Sequence, residues 1–328
     1  MSRIAPLHRL LLVGLLVAAS GCDIAWVDSP VQPTPTWKSG ASGAGVANGS
    51  LGRWRGRQLD IAGTWNDNYE SQSAQWSVQD GFEFEHWRRD LDVAVGAIYK
   101  DRGESWQAAA DGAYDERWRE ALESLATAWK GKPGTLFIRF AHEFNGDWYP
   151  WSVTGQETED FIAAWKRFRA IQQDVLPRHS LVFSVNSETT DALDLDWRAA
   201  FPGGGQADVV SVDYYNDYLW VNSAKAFEAA LLREDDHGAP VGLEAHRRFA
   251  ERVGLPFAVS EWSTNAEKGD AREFIEQVYV WMSSNAGTGA GNLLYEIQFN
   301  VASYGDAKFR LDGESRQPRA AAAYRELW

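Results

Sequence analysis

The sequence has 328 residues, enough for one large domain or two small ones. Its 45% hydrophobic and 24% charged residues are ordinary for a soluble globular protein, and its net charge of -14 argues against nucleic acid as a partner, because an acidic surface repels phosphate backbones. The 17 Trp residues suit stacking against the apolar faces of sugar rings, although most of them individually are expected to fill the packing between helices and strands.

The first 21 residues are predicted to be a lipoprotein signal peptide. Basic residues precede an apolar run at 10–19, which is too short to span a bilayer as a helix. Two small residues then lead into Cys22, the only cysteine, in a pattern that resembles a bacterial lipobox, and Asp23 resembles an inner-membrane retention signal. We therefore expect an exported lipoprotein, periplasmic or at the cell surface, anchored to a membrane through a lipid on Cys22. Plain secretion with an incidental cysteine is the alternative.

Residues 22–50 are predicted to be a tether. The stretch 28–50 is rich in Pro and then in Gly, Ser and Ala, and it shows no hydrophobic period. A single globular domain is then expected from residue 51 to residue 328.

Short apolar, β-branched runs recur through that domain, and we interpret them as strands. Most are continuously apolar rather than alternating, as expected of parallel strands that are buried on both faces. They lie at 59–65, 92–99, 135–141, 181–186, 208–213, 256–261 and 293–299. An eighth, weaker strand is expected near Phe82–Phe84.

Helical patterns separate several of these runs, at 115–131, 157–177 and 271–287. The alternation predicts an α/β fold, a (β/α)8 TIM barrel forming a single catalytic domain. A doubly wound open sheet is the alternative, but no Gly-rich turn follows the first strand, so a nucleotide-binding fold has little support.

Polar residues gather where the predicted strands end, which is where barrel active sites lie. Strand 135–141 leads into His142 and Glu143, and strand 256–261 ends in Glu261. Two glutamates on separate strand ends suit glycoside hydrolysis, in which one donates a proton to the leaving oxygen and the other attacks the sugar or guides water.

Three stretches resemble glycoside hydrolase family 26, a family of β-mannanases and mixed-linkage β-glucanases. RFAHEFNGDWYPW (139–151) resembles the acid/base motif of that family, PFAVSEW (256–262) resembles its nucleophile strand, and FPGGGQADVVSVDYY (201–215) is similar to a further segment between them. The stretches occur in the family's order. The resemblance implies a retaining, endo-acting β-glycanase that needs no cofactor.

The resemblance also implies roles for single residues. Glu143 matches the general acid/base and Glu261 the nucleophile, and Tyr215 matches a tyrosine that donates a hydrogen bond to the nucleophile. His142 is expected to contact the nucleophile or the reacting sugar, and Trp148 to flank the sugars. Further candidates for substrate contact or support are Arg139, as electrostatic support inside the barrel, and Asn186, Trp65, Trp151 and Trp262, each of which has a purely structural alternative.

The substrate is less closely specified than the reaction. The segment Asp147–Trp151 departs from the W-F-W-W of many mannanases, and the last strand ends in EIQFN rather than in the Trp typical of them. Both departures favour a mixed-linkage or β-1,4-glucan-like polysaccharide, or a bacterial exopolysaccharide, over mannan, which stays the alternative.

A non-catalytic polysaccharide-binding barrel is a second alternative, of a different class, although both carboxylates are present. The acidic stretch 191–197 lacks the spacing and glycine of a calcium loop, and six scattered His and one Cys give no zinc signature. We expect no metal, and a monomer whose partners are a polysaccharide and, through Cys22, a membrane.

Overall fold

The computed structural model describes residues 36–217 and 219–328. In this part of the chain, eight parallel strands close into one barrel in sequence order, and β8 returns to pair with β1. The strands are β1 Lys38–Gly43, β2 Ile61–Asn66, β3 Asp90–Val95, β4 Leu136–Phe140, β5 Ser180–Asn186, β6 Val209–Asn216, β7 Phe257–Thr264 and β8 Leu293–Asn300. The predicted (β/α)8 barrel is confirmed.

Helices connect the strands and cover the barrel. They are α1 Ser50–Arg55, α2 Tyr69–Gln72, α3 Trp106–Ala110, α4 Asp115–Trp129, α5 Thr158–Val175, α6 Ala224–Ala230, α7 Leu243–Arg252, α8 Arg272–Asn285 and α9 Pro318–Leu327. The three helices predicted from sequence correspond to α4, α5 and α8. Among the residues the structure describes, no helix is both long and apolar enough to cross a membrane.

The eighth strand is not where the sequence predicted it. Residues Phe82–Phe84 form turns, and Phe84 is buried against Trp87 at 6.0 Å between ring centroids. The missing strand is β1, whose sequence KSGASG consists mostly of small residues. A Cβ on Gly40 would lie 2.4 Å from the carbonyl oxygen of Ile61, so β1 pairs closely with β2 because it lacks bulk.

The predicted domain boundary is therefore wrong in part. β1 lies inside the stretch 22–50 that was predicted to be a tether, and α1 begins at Ser50, so the barrel starts well before residue 51. The Gly- and Ser-rich sequence of this stretch is also typical of a flexible linker. Small residues are favoured both where two strands pack closely and where a chain must be flexible, so composition alone does not distinguish the two. The predicted signal peptide (1–21) and Cys22 lie outside the described residues.

Successive side chains of a strand point alternately into the barrel and out toward the helices, although the strand sequences are almost continuously apolar. In β4, Ile138 and Phe140 pack outward against the helices, while Phe137 belongs to an interior cluster and Arg139 is fully buried above it. Much of the tryptophan excess serves the outer packing, where the largest fully buried side chains include Trp106, Trp118, Trp165 and Trp197. The interior carries polar groups toward the carboxyl ends of the strands, and these form the site.

Candidate active site

The chain turns sharply after β4. Ala141 and Glu143 both have φ of 51°, in the left-handed region that residues with a Cβ adopt only at a cost of roughly 1–3 kcal/mol each. Two backbone hydrogen bonds hold this turn, from Ala141 N to Val95 O (3.1 Å) and from Glu143 N to Ser184 O (3.2 Å). The turn leaves Glu143 lining an open cleft, while the intervening His142 is fully buried.

The Glu143 carboxyl group is in a largely apolar setting. Its side chain accepts a hydrogen bond from Trp148 Nε1 (2.9 Å), and the residue is 8% exposed. Gly146 permits this contact, because a Cβ there would lie 2.3 Å from the Trp148 ring. Burial, and then the nearby charge of Glu261, raise the pKa of Glu143 to about 8. Glu143 therefore holds a proton near neutral pH.

Glu261 stands in a very different environment. The pairing of β7 with β8 shifts register between Val259 and Trp262, an irregularity of the kind that re-aims side chains beside active sites. Its Oε1 accepts hydrogen bonds from Arg139 Nη1 and Trp65 Nε1, both at 2.9 Å, and its Oε2 accepts one from Tyr215 OH at 2.8 Å. Three donors thus fix the orientation of this carboxylate.

Arg139 connects Glu261 to two further acids inside the barrel. Its Nε donates to Asp92 Oδ1 (2.6 Å) and its Nη1 to Asp213 Oδ2 (3.1 Å), and all three side chains are fully buried. Asp92 also accepts from Ser260 Oγ (3.0 Å) and Tyr295 OH (2.7 Å). A buried cation surrounded by hydrogen-bonded carboxylates is costly to disturb, so this network is a rigid support for Glu261.

Both glutamates open onto a cleft of about 740 Å³ at the carboxyl ends of the strands. Of the residues singled out from sequence, Glu143, Glu261, Trp65, Trp148, Asn186 and Tyr215 line it. The sequence reasoning missed nine further lining residues, Asp67, Tyr149, Asp217, Phe299, Val301, Ser303, Tyr304, Lys308 and Phe309. An aromatic-walled cleft with a few convergent polar groups suits a ligand with apolar faces and hydroxylated rims.

Comparison with known proteins relates part of this barrel to a family of glycosidases. The family model for glycosyl hydrolase family 26 matches residues 116–232, which include Glu143, Trp148 and Tyr215. The chain is also 23% identical over 283 residues to Endoglucanase H of Acetivibrio thermocellus, a match that covers 83% of this chain and 28% of that protein. These matches support glycosyl hydrolase family 26 as the family that this chain resembles.

A second curated relative is Mannan endo-1,4-beta-mannosidase of Bifidobacterium adolescentis, which is 24% identical over 230 residues, covering 63% of this chain and 22% of the relative. The chain thus spans only about a quarter of the length of these two relatives, at 28% and 22%. Among solved structures, the fold is similar to the catalytic domain of the endo-β-1,4-mannanase of Bacillus sp. JAMB-750, with a TM-score of 0.62 and 15% identity, covering 89% of this chain and 85% of that one.

Three residues predicted to contact substrate do not line the cleft of this barrel. Trp151 is 1% exposed, donates to His142 O (2.8 Å) and stacks on Tyr149 at 4.5 Å between centroids. Trp262 is 1% exposed and packs against Trp328 (5.1 Å) on the outer side of β7. The prediction of substrate contact is wrong for both, because the turn after β4 buries the Trp151 ring and β7 directs the Trp262 ring away from the cleft.

His142, the third of these residues, lies beneath the cleft floor. Its ring is fully buried, 4.6 Å from the Tyr149 ring, and its Nε2 lies 3.6 Å from Asp67 Oδ2. Burial, and then the positive charge of Arg139, lower the pKa of His142 well below its ordinary value, so the imidazole is neutral. Burial raises the pKa of Asp67, which does line the cleft, to about 6.

The missed acids had signals in the sequence. Asp92 begins and Asp213 ends a predicted strand, and a buried Arg139 requires counter-charges of this kind. Asp67 follows β2 two residues after Trp65, so it stands at a strand end, as Glu143 does. Tyr149 lies inside the stretch 139–151 itself.

The buried acid at Glu143 has a measurable consequence for stability. Its pKa is raised from 4.5 to about 8 on folding, so its contribution to stability is complete below pH 4.5 and is lost as the pH rises toward 8. In Glu143→Gln the side chain does not ionise, so this loss of stability with rising pH does not occur. The amide oxygen can still accept the hydrogen bond from Trp148 Nε1. We expect the variant to be more stable than the wild type by up to about 3 kcal/mol at pH 7, and by little at pH 4.5. Urea unfolding at both pH values measures the difference; an equal difference at the two would contradict the buried-acid assignment.

Proposed function

We propose that the protein is a retaining endo-β-glycanase that hydrolyses a β-linked polysaccharide by double displacement. The observation that carries this proposal is the contrast between two carboxyl groups on one cleft. Glu143 is held protonated in apolar surroundings with one donor, whereas Glu261 accepts hydrogen bonds from three. Environments that divide two carboxyl groups in this way divide the roles of acid and nucleophile between them.

In the first step, a Glu261 carboxylate oxygen attacks the anomeric carbon. The bond to the glycosidic oxygen breaks, and that oxygen takes the proton of Glu143, so the leaving part of the chain departs as a neutral alcohol. The product is an ester between the sugar and Glu261. Arg139, Trp65 and Tyr215 hold the attacking carboxylate in place, and Trp148 orients the Glu143 carboxyl group.

In the second step, the Glu143 carboxylate takes a proton from water, and the water oxygen attacks the anomeric carbon. The ester bond breaks, and Glu261 leaves as a carboxylate. The proton returns to Glu143 as the charge returns to Glu261, because burial together with that charge raises the pKa of Glu143. Two displacements retain the anomeric configuration, as NMR of the first product should show; inversion would contradict this pair of steps.

For the substrate we favour a mixed-linkage or β-1,4-glucan-like polysaccharide, or a bacterial exopolysaccharide. Phe299 lines the cleft from the last strand, whose ending EIQFN lacks the Trp typical of mannanases, and Asp147–Trp151 departs from the mannanase pattern. One curated relative is named an endoglucanase and the other a mannosidase, so mannan is the alternative within the same chemistry.

Product analysis on mannan, mixed-linkage glucan, xylan and a bacterial exopolysaccharide tests this proposal. We expect shortened oligosaccharides from a glucan or the exopolysaccharide, released from internal bonds. Products from mannan alone would support the alternative substrate. Binding to these polysaccharides without cleavage of any of them would favour a non-catalytic binding barrel.

We further propose that the protein is exported and lipid-anchored at Cys22, on the strength of the residues around that cysteine in the sequence. Cys22→Ser should abolish incorporation of labelled palmitate in cells and leave the rate of glycan hydrolysis unchanged. Absence of label in the wild type would contradict the anchor and leave the catalytic proposal untouched.

A further inference from the structure

A second groove, which we call the flank groove, lies on the outside of the barrel between the segment that follows α2 and the helix α4. Its volume is about 610 Å³, which is within the usual range of ligand sites in proteins. Trp76 and Gln79 line it from the segment, and Glu120, Glu123 and Thr127 line it from α4. Among the described residues, none lines both this groove and the cleft described above, so the proposed reaction does not account for it.

Trp76 is one of two exposed tryptophans in residues 36–217 and 219–328, with 44% of its surface open to solvent. The other is Trp148, at 47%, which lines the cleft and donates a hydrogen bond to Glu143. The remaining tryptophans of these ranges are buried or half-buried in the packing of the barrel. An exposed indole presents an apolar face, which suits stacking on the apolar face of a sugar ring.

The backbone on both sides of Trp76 is held by buried side chains. Gln75 has φ of 51°, in the left-handed region, and its fully buried side chain donates to Gln72 O. Ser77 N donates to Asn66 Oδ1 (3.0 Å), and Ser77 Oγ accepts from Asn66 Nδ2 (2.6 Å) at the end of β2. A strained conformation such as that of Gln75 persists only where its surroundings fix it. The exposed ring is therefore held in place before a ligand arrives, which lowers the entropy lost on binding.

The α4 wall of the flank groove supplies hydrogen-bond acceptors and a hydroxyl group. Glu120, Glu123 and Thr127 are exposed, and their spacing of three and four residues places them on one face of the helix. Within the described part of the chain, neither carboxylate forms an ion pair, and both arginines of α4 pair with other acids. The carboxylate oxygens are therefore available to accept hydrogen bonds from the hydroxyl groups of a ligand.

The charges of the flank groove favour a neutral ligand. Its α4 wall carries the carboxylates of Glu120 and Glu123, and none of the described residues that line the groove is Lys or Arg. An anionic polymer would therefore be repelled. A neutral sugar chain suits both walls, because its rings have apolar faces that can stack on Trp76 and hydroxyl groups that can donate to the carboxylates.

We propose that the flank groove binds a neutral polysaccharide chain, with one sugar ring stacked on Trp76 and hydroxyl groups of the chain donating to Glu120 and Glu123. This site lies apart from the cleft in which hydrolysis is proposed. It therefore holds the protein on a polymer without taking part in the reaction. The expectation that the bound polymer is also the substrate rests on the proposed function, whereas the binding itself does not.

Retardation in native gels that contain hydroxyethyl cellulose, mixed-linkage glucan or mannan tests this site. Every protein in the series carries Glu143→Gln, so that the polymer is not cleaved during the run. We expect Trp76→Ala to weaken binding to at least one of these neutral polymers by about threefold to tenfold, and Trp76→Phe to retain part of it. Glu120→Gln combined with Glu123→Gln changes only exposed side chains and should weaken binding by about twofold or more.

Phe82→Ala is the matched control. Phe82 lies in the same connection between α2 and β3 and is 51% exposed, but it is not among the residues that line the flank groove. Both variants remove an exposed aromatic ring, and only Trp76→Ala should weaken binding. Binding that is unchanged in Trp76→Ala, or equally weakened in Phe82→Ala, would overturn the proposal. So would a larger effect of Trp76→Ala on carboxymethyl cellulose, the anionic counterpart of hydroxyethyl cellulose, than on the neutral polymer.

Hydrolysis rates on a long and a short substrate separate this inference from the proposed catalysis. With Glu143 intact, Trp76→Ala should lower kcat/KM on the polymer that it binds severalfold and leave kcat/KM on dinitrophenyl β-cellobioside unchanged, because two sugars occupy the cleft alone. Retardation that depends on Trp76 in a protein that cleaves no glycan would contradict the catalytic proposal only. Cleavage of polymers without any retardation that depends on Trp76 would contradict the flank groove only, as would a dimer in analytical ultracentrifugation that Trp76→Ala dissociates while retardation stays unchanged.

Discussion

Glu261→Ala is expected to lower kcat/KM on the best polysaccharide substrate by roughly 10⁴-fold or more, because the variant lacks the carboxylate that forms the covalent intermediate in the proposed mechanism. Arg139 keeps Asp92 and Asp213 as partners in the variant, so the barrel should still fold. Steady-state kinetics, together with circular dichroism to confirm folding, measure the effect.

Added azide distinguishes loss of the nucleophile from a general disturbance. A small anion that enters the space left by Glu261 attacks the anomeric carbon directly, and a single displacement gives a glycosyl azide of inverted configuration. Glu251→Ala, which removes a surface carboxylate that pairs with Arg247 at 3.2 Å, is the matched control and should retain full activity. Glu261→Ala with activity near that of the wild type would refute the assignment.

Glu143→Gln is expected to lower kcat/KM on polysaccharides by about 10²- to 10⁴-fold and to change its dependence on pH. The wild type requires Glu143 protonated for the first step, and the pKa of Glu143 is about 8, so kcat/KM should fall as the pH rises through 8. Glutamine does not titrate, so that alkaline limb should vanish in the variant. Dinitrophenyl glycosides need no proton on the leaving oxygen, so the rate of their first step should fall much less in Glu143→Gln than the rate on polysaccharides.

Trp148→Phe provides a graded version of the same test. Trp148 Nε1 donates to Glu143 Oε2 at 2.9 Å, and this hydrogen bond lowers the pKa of Glu143 against the larger effect of burial. Its removal should move the alkaline limb to higher pH. A limb that stays in place in Trp148→Phe and persists in Glu143→Gln would assign the titration to another group.

Sequence reasoning singled out three residues that the structure places together on one cleft, because they combine reactive chemistry with position. Glu143 and Glu261 follow apolar runs at strand ends, and Tyr215 follows a third run. The strand β1 was not predicted, for the opposite reason. Its residues KSGASG have neither the bulk nor the alternation that marks a strand, and only its pairing with β2 and β8 shows why small side chains are needed there.

The orientation of side chains was the harder part to predict. Trp65 and Trp262 both lie near the ends of strands, yet Trp65 donates to Glu261 in the cleft while Trp262 packs behind β7 on Trp328. A register shift between Val259 and Trp262 and the left-handed turn at Ala141 and Glu143 decide which side chain faces the cleft. Neither feature can be predicted from the hydrophobic pattern, because both arise from contacts between strands that are distant in sequence.

The central claim, that Glu261 forms a covalent bond to the sugar, is tested most directly by trapping that intermediate. A dinitrophenyl glycoside of the preferred sugar with fluorine in place of the hydroxyl next to the anomeric carbon forms the ester readily and releases it slowly. Mass spectrometry of a protease digest should then show the added sugar on the peptide that contains Glu261. A label on any other residue, or an inverted first product with no labelled peptide, would contradict the account.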